Sequence, residues 1–276
     1  MTATSATSAT PPSRLPLRGT EHAFRLEGPA NAPVVVLVHG LLADHRTWDA
    51  VAARLARDYR VLRNDLRGHG ASGSPQLPWS MQDLADDIVA LLDALGVRRA
   101  HLAGTSLGGM IAQRVAAFNG DRLLSLTLAN TAATQAHPEA WQSRIDLVRQ
   151  SGVAAVAEPT LQRWFTPGFL QSQPEAVERM RAILLATSPE GYIGGAGAVR
   201  DLAQLDLLGR IRVPTLVIAG ARDQSTPPAM SQQIVQGIPG ARLVSLDAGH
   251  QSAFELADEF ADAWLAFARS LPAIPG

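Results

Sequence analysis

The sequence predicts an α/β protein: a doubly wound, mostly parallel sheet with a helical cap inserted after the sixth strand. Three observations carry this. Short apolar runs such as Val34-Val35-Val36-Leu37-Val38 are unbroken rather than alternating, as expected of strands buried on both faces under helices. Such runs alternate with stretches of helical periodicity, the rhythm of a parallel sheet. The rhythm then stops between residues 131 and 208, where no strand pattern is evident, and resumes at Thr215.

The elements follow in order. The first 13 residues are low in complexity and poor in large apolar side chains, and read as a disordered tail. The strand at 34–38 ends in His39-Gly40 and is followed by helical patterning over 48–56. Arg60-Val61-Leu62-Arg63 leads through Asp65 into a turn-rich stretch, Arg67-Gly68-His69-Gly70-Ala71-Ser72-Gly73. Leu84, Ile88, Leu91, Leu92 and Leu95 mark a helix over 81–95. Ser80 with Asp83 three residues later signals its start, and Gly96 its end. Strands are expected at 100–103 and 124–129. Within 131–208, helical stretches at 139–149 and 175–187 are separated by breaks at Gly152, Pro159, Pro167-Gly168, Pro174 and Pro189. Thr215-Leu216-Val217-Ile218-Ala219-Gly220 and residues 241–246 are the last strands, and 257–269 a terminal helix. The expected organisation is a tail at 1–13, a core made of 14–130 with 209–276, and a cap at 131–208.

Composition narrows the function classes. The chain has 276 residues, 46% hydrophobic and 18% charged, with a net charge of −1. Nothing favours nucleic acid or an anionic membrane surface. There is no cysteine, which excludes disulfides, thiolate metal sites and a cysteine nucleophile and suits a cytoplasmic protein. No run approaches the length of a membrane helix, and the N-terminal residues lack the apolar centre of a secretory signal. The seven histidines show neither HxH nor HExxH spacing, so no metal is expected. No GxGxxG loop is present, and no cofactor is expected.

The chemistry centres on Gly104-Thr105-Ser106-Leu107-Gly108, which lies between a strand and the helix-forming stretch 110–117. Strand, Gly-x-Ser-x-Gly turn and helix form a nucleophile elbow, in which a serine hydroxyl is presented on a sharp turn. An acyl-transfer serine needs a base, a group to orient it and donors for the oxyanion. In elbow proteins the acid and then the histidine follow the serine, in loops at the carboxyl ends of late strands. Asp223 and His250 occupy those slots, so Ser106, Asp223 and His250 are the candidate catalytic residues. The candidate oxyanion donors are the backbone N–H groups of Leu107 and Leu41. Asp65 and Asp247 are rival acids, read as turn residues, and Asp201 and Asp206 lie at the exit of the cap.

His39-Gly40-Leu41, Asp65-Leu66-Arg67-Gly68-His69-Gly70 with Ser72, Gly104-Thr105-Ser106-Leu107-Gly108-Gly109, Arg222-Asp223 and Gly249-His250 resemble the α/β-hydrolase superfamily. Further segments resemble the 3-oxoadipate enol-lactonases: Leu128-Ala129-Asn130-Thr131-Ala132-Ala133, Trp141, Arg144-Ile145-Asp146, Arg163-Trp164-Phe165-Thr166, Ala186-Thr187-Ser188-Pro189-Glu190-Gly191-Tyr192, Ala198-Val199-Arg200-Asp201 and Thr226-Pro227-Pro228. The chain departs from that pattern at Thr105, at the glycine-rich Gly194-Gly195-Ala196-Gly197 and in lacking a proline after Glu255. The resemblance implies a serine hydrolase acting through an acyl-enzyme on a small-molecule lactone or ester of bacterial aromatic catabolism. It needs no cofactor. Its substrate carries a free carboxylate, for which Arg144, Arg163 and Arg200 are the cap candidates, with Trp141 a candidate wall of the substrate pocket. A carboxylesterase, another lactonase or a perhydrolase shares the same triad, and a non-catalytic receptor can retain it, since fold alone does not set function.

Overall fold

The structure is a computed structural model in which residues 11–272 are described. Among the described residues eight strands form one sheet: β1 (Ser13–Leu17), β2 (Thr20–Glu27), β3 (Val34–Val38), β4 (Arg60–Asn64), β5 (Ala100–Thr105), β6 (Leu123–Ala129), β7 (Thr215–Gly220) and β8 (Arg242–Leu246). Their spatial order is β1-β2-β4-β3-β5-β6-β7-β8. From β4 to β8 all neighbours are parallel, while β1 and β2 form an antiparallel hairpin on the β4 edge.

That hairpin corrects the expected tail boundary. Residues 1–10 of the tail lie outside the described residues, but Ser13 already opens β1. Its turn is Arg18-Gly19, with φ of 47° and 81°, the two positive values of a two-residue hairpin whose twist matches the strands. Pro16 is tolerated because β1 is an edge strand.

Helices cover both faces. α1 (Asp49–Leu55) and the terminal α12 (Ala257–Arg269) share one face, and α2 (Met81–Ala94) and α3 (Leu107–Phe118) the other. The central strand shows why its sequence does not alternate. Val35 and Leu37 pack with Trp48, Val51 and Trp264 on the first face, while Val36 and Val38 pack with Leu92 and Met110 on the second. α2 begins with the expected cap: the Ser80 side chain accepts from Asp83 N and the Asp83 side chain from Ser80 N.

Between β6 and β7 lie six helices: α4 (Pro138–Ser151), α5 (Ala154–Trp164), α6 (Pro167–Ser172), α7 (Pro174–Leu185), α8 (Pro189–Arg200) and α9 (Leu205–Leu208). Proline opens four of them, where its missing N–H is without cost. Pro159, expected as a break, lies inside α5. Two glycines of α8, Gly191 and Gly194, have a packing reason. A Cβ on Gly191 would come within 2.0 Å of Gly68 O, and one on Gly194 within 2.2 Å of the Trp79 ring. Each glycine costs a helix about 1 kcal/mol relative to alanine, and here it lets the cap helix lie directly on the core. Among the described residues no helix is long and apolar enough to cross a membrane.

Candidate active site

The loops after β3, β5, β6, β7 and β8 all leave the sheet at its carboxyl end, where a doubly wound fold gathers its ligands. Ser106 sits between β5 and α3 with φ 52° and ψ −119°. That conformation is strained by about 1–3 kcal/mol and is held by its surroundings. Ser106 N donates to Ala129 O at 3.0 Å, and Ser106 O accepts from Thr131 Oγ1 at 2.7 Å. The elbow closes this tightly only without side chains on its flanks, since a Cβ on Gly108 would lie 2.2 Å from Val38 O.

His250 follows β8, and its Nδ1 lies 2.8 Å from Asp223 Oδ2. Both side chains are buried. Asp223 follows β7 and has every lone-pair direction engaged. Oδ1 accepts from Ser225 N at 2.8 Å and Thr226 N at 2.9 Å; Oδ2 accepts from Thr226 Oγ1 at 2.7 Å and Asn130 Nδ2 at 3.0 Å. Burial alone would raise its pKa, but the charge and hydrogen bond of His250, with the donors from Thr226 and Asn130, hold it down at about 2. An ionised Asp223 can only accept, so His250 Nδ1 carries the hydrogen and Nε2 is left as the basic nitrogen.

Of the two candidate oxyanion donors, Leu107 directly follows Ser106 and Leu41 lines the same cavity as Ser106. Leu107 is the first residue of α3, so its N–H has no acceptor within the helix. Gly40 lies against the serine: a Cβ on it would be 3.1 Å from Ser106 Cβ. His39 orients the peptide that follows. Its Nε2 accepts from Leu66 N at 2.9 Å, so the neutral ring carries its hydrogen on Nδ1 and donates to Gly40 O at 2.7 Å. Burial lowers the His39 pKa and keeps it neutral. Because the peptide is planar and trans, fixing Gly40 O also fixes the direction of Leu41 N–H.

Ser106 and His250 open into one cavity of about 420 Å³ between core and cap. Trp141 and Arg144 of α4, Arg163 of α5 and Tyr192 of α8 line its cap wall, and no Asp or Glu among the described residues does. The Arg144 guanidinium lies 5.0 Å over the Trp141 ring. Burial, and then the Arg144 charge, lower the Arg163 pKa. Burial pushes Tyr192 up to about 12, against the pull of the two arginines. The cap wall is therefore a part-buried positive site.

The alpha/beta hydrolase fold family matches residues 33–256 of this sequence. The chain belongs to that family. The 3-oxoadipate enol-lactonase 2 of Acinetobacter baylyi is 36% identical over 84% of this chain and 87% of its own length. The enol-lactonase from Burkholderia xenovorans LB400 superposes with a TM-score of 0.92 at 36% identity, over 94% of this chain and all of that one. A hydrolase from Pseudomonas aeruginosa PA01 superposes with a TM-score of 0.91 at 42% identity, over 94% and 99% of the two chains.

Other charged residues of this α/β-hydrolase lie away from the serine–histidine cavity. Asp65 caps the turn after β4: Oδ1 accepts from His45 N and Nδ1, and Oδ2 from Ala71 N. Neighbouring Asp44 is held bidentately by Arg46. The buried group Asp44, His45 and Asp65 is thus committed to internal partners. Asp247 pairs with Arg222 at the surface. Arg200 bonds Gln142 and Asp201 and does not line the cavity. Sequence reasoning left two site residues without a role. Tyr192 faces the arginines, and Asn130 bridges Asp223 to Gly249 O at 3.1 Å. Asn130 lies in a segment that carries the resemblance, which gives it no role; its positive φ of 46° is visible only in the fold.

Proposed function

We propose that this carboxylic-ester hydrolase opens a carboxylate-bearing enol-lactone, converting 3-oxoadipate enol-lactone to 3-oxoadipate. The observation that carries this reading is one cavity with Ser106 and His250 on its floor and Arg144 and Arg163, unneutralised by any lining carboxylate, on its cap wall. The enol-lactonases among its relatives support the same substrate class.

In this mechanism, His250 Nε2 takes the Ser106 proton as Oγ attacks the lactone carbonyl. Asp223 stabilises the imidazolium. The N–H groups of Leu41 and Leu107 receive the oxyanion, each worth about 3–4 kcal/mol in the transition state. The ring C–O bond breaks and the enolate leaves, takes the proton held by the His250 imidazolium and becomes the ketone, which leaves His250 neutral again. Water, deprotonated by His250, then releases the acyl group from Ser106. The substrate carboxylate sits at the arginines, which fixes which face of the lactone meets Ser106.

Steady-state rates on the enol-lactone and on p-nitrophenyl acetate test this. The lactone is expected to win by orders of magnitude in kcat/KM, whereas near parity would indicate a general esterase. An organophosphonate is expected to label Ser106 stoichiometrically. Arg163→Met removes a hydrogen bond to a charged group, worth about 1.5–3 kcal/mol. It is expected to cost roughly ten- to a hundredfold in kcat/KM on the lactone and little on the neutral ester, measured in parallel assays.

A further inference from the structure

The cap and the catalytic-histidine loop meet in a joint that the proposed mechanism does not use. The cap side is the segment Trp164-Phe165-Thr166 between α5 and α6. The core side is Gly249-His250 after β8, followed by a short helix, α11 (Ser252–Glu255). His250 N donates to Trp164 O at 2.7 Å, and Gln251 N reaches the same oxygen at 3.3 Å. The backbones touch: a Cβ on Gly249 would lie 2.4 Å from Trp164 O.

Glu255 joins the two sides. Oε2 accepts from Gly249 N at 2.9 Å, while Oε1 accepts from Thr166 N at 3.3 Å and from Thr166 Oγ1. Gly249 is therefore held at both polar groups, its N–H by Glu255 and its carbonyl by Asn130. Stacked Phe165 and Phe169, 4.8 Å apart, pack on Phe254 and close the joint with apolar contact. Arg163, on the cavity wall, immediately precedes Trp164.

We propose that Glu255 is a positioning residue that ties the cap to His250, so that Arg163 and the imidazole are registered to each other through one carboxylate. The reasoning rests on the reading of Arg163 as part of an anion site. Charge-assisted hydrogen bonds from backbone N–H groups to a carboxylate are stronger than neutral ones. A carboxylate shared by two segments fixes their separation more firmly than the neutral His250 N to Trp164 O bond alone. Misplacing a catalytic group by about 1 Å from a distance can cost on the order of a hundredfold in rate.

The test compares Glu255→Gln and Thr166→Val with the wild-type enzyme on the enol-lactone and on p-nitrophenyl acetate. Glu255→Gln leaves one acceptor and puts a donor where Gly249 N or Thr166 needs an acceptor. It is expected to lower kcat on the lactone by roughly ten- to a hundredfold, with KM moved less than about threefold. The loss on p-nitrophenyl acetate, which has no carboxylate to engage Arg163, is expected to be smaller. Thr166→Val cuts only the hydroxyl on the cap side and is expected to reproduce that difference between substrates on a smaller scale. A wild-type kcat for Glu255→Gln on both substrates would overturn the positioning role. Equal losses on both, with Thr166→Val silent, would overturn the link to the cap. If Glu255→Gln does not fold, Thr166→Val alone decides. Wild-type labelling at Ser106 and wild-type lactone preference, measured in the same series, separate failure of the joint from failure of the underlying hydrolase reading.

Discussion

Ser106→Ala is expected to lower kcat by about a million-fold while the melting temperature and the circular dichroism spectrum stay close to those of the wild type. The size follows from the way a serine, base and acid act as one unit: removing the nucleophile costs about as much as removing all three. The structural neutrality follows from what holds the elbow. Its contacts are backbone groups, Ser106 N to Ala129 O and Thr131 Oγ1 to Ser106 O, together with side-chain-free flanks at Gly104 and Gly108. Alanine keeps the Cβ and all of these. The positive φ of 52° is equally strained for serine and alanine, so the strain cancels in the comparison. The remaining rate is expected to exceed the uncatalysed one by roughly 10³–10⁴, supplied by oxyanion donors and substrate binding. Burst kinetics with a chromogenic ester check the prediction directly. The wild type releases one equivalent of alcohol before the steady state when deacylation limits the rate, and Ser106→Ala releases none. A variant that still turned over at a tenth of the wild-type rate would remove the serine from the mechanism.

The parts of this fold that were legible in the sequence are those where local pattern and tertiary environment agree. β3 reads as a buried strand because Val35 and Leu37 meet one helical layer and Val36 and Val38 the other, so no polar residue interrupts the run. The start of α2 reads from Ser80 and Asp83 because a capping box is closed within four residues. The hairpin of β1 and β2 was not legible. Pro16 and the exposed side chains of an edge strand weaken the pattern, and its turn depends on Arg18 adopting a conformation that residue type does not announce. The cap was legible as helical, but α8 was not, because four glycines in twelve residues hide its period. The cause of two of them, Gly68 under Gly191 and Trp79 under Gly194, is more than a hundred residues away in sequence. The order Ser106, Asp223, His250 was readable from position after strands. The support for that trio was not: Asn130 and Glu255 act through partners that only the closed sheet and the seated cap bring near.

Asp223→Asn is expected to cut kcat by about ten-thousandfold at neutral pH. The hydrogen-bond pattern around the carboxylate gives the reason. Ser225 N and Thr226 N both donate to Oδ1, so the amide oxygen of an asparagine takes that place and its NH₂ group takes the place of Oδ2. There it meets His250 Nδ1, Asn130 Nδ2 and Thr226 Oγ1, all three of them donors to Oδ2 in the wild type. The imidazole relieves the conflict by moving its hydrogen to Nε2, and Nε2 can then no longer take a proton from Ser106. The same substitution has a signature in stability against pH. Asp223 is held at about 2 in the folded protein against an ordinary 3.8. A depressed carboxylate stabilises the fold above its unfolded pKa, and this contribution is lost as pH falls toward the folded value. The wild type is therefore expected to lose stability between about pH 4 and pH 2 through this group, and Asp223→Asn to lack that component. Urea unfolding of the two proteins at pH 5, 4, 3 and 2 reads the difference. If the gap between them does not change across that range, Asp223 is not ionised against His250 in the folded state, and the tautomer argument falls with it.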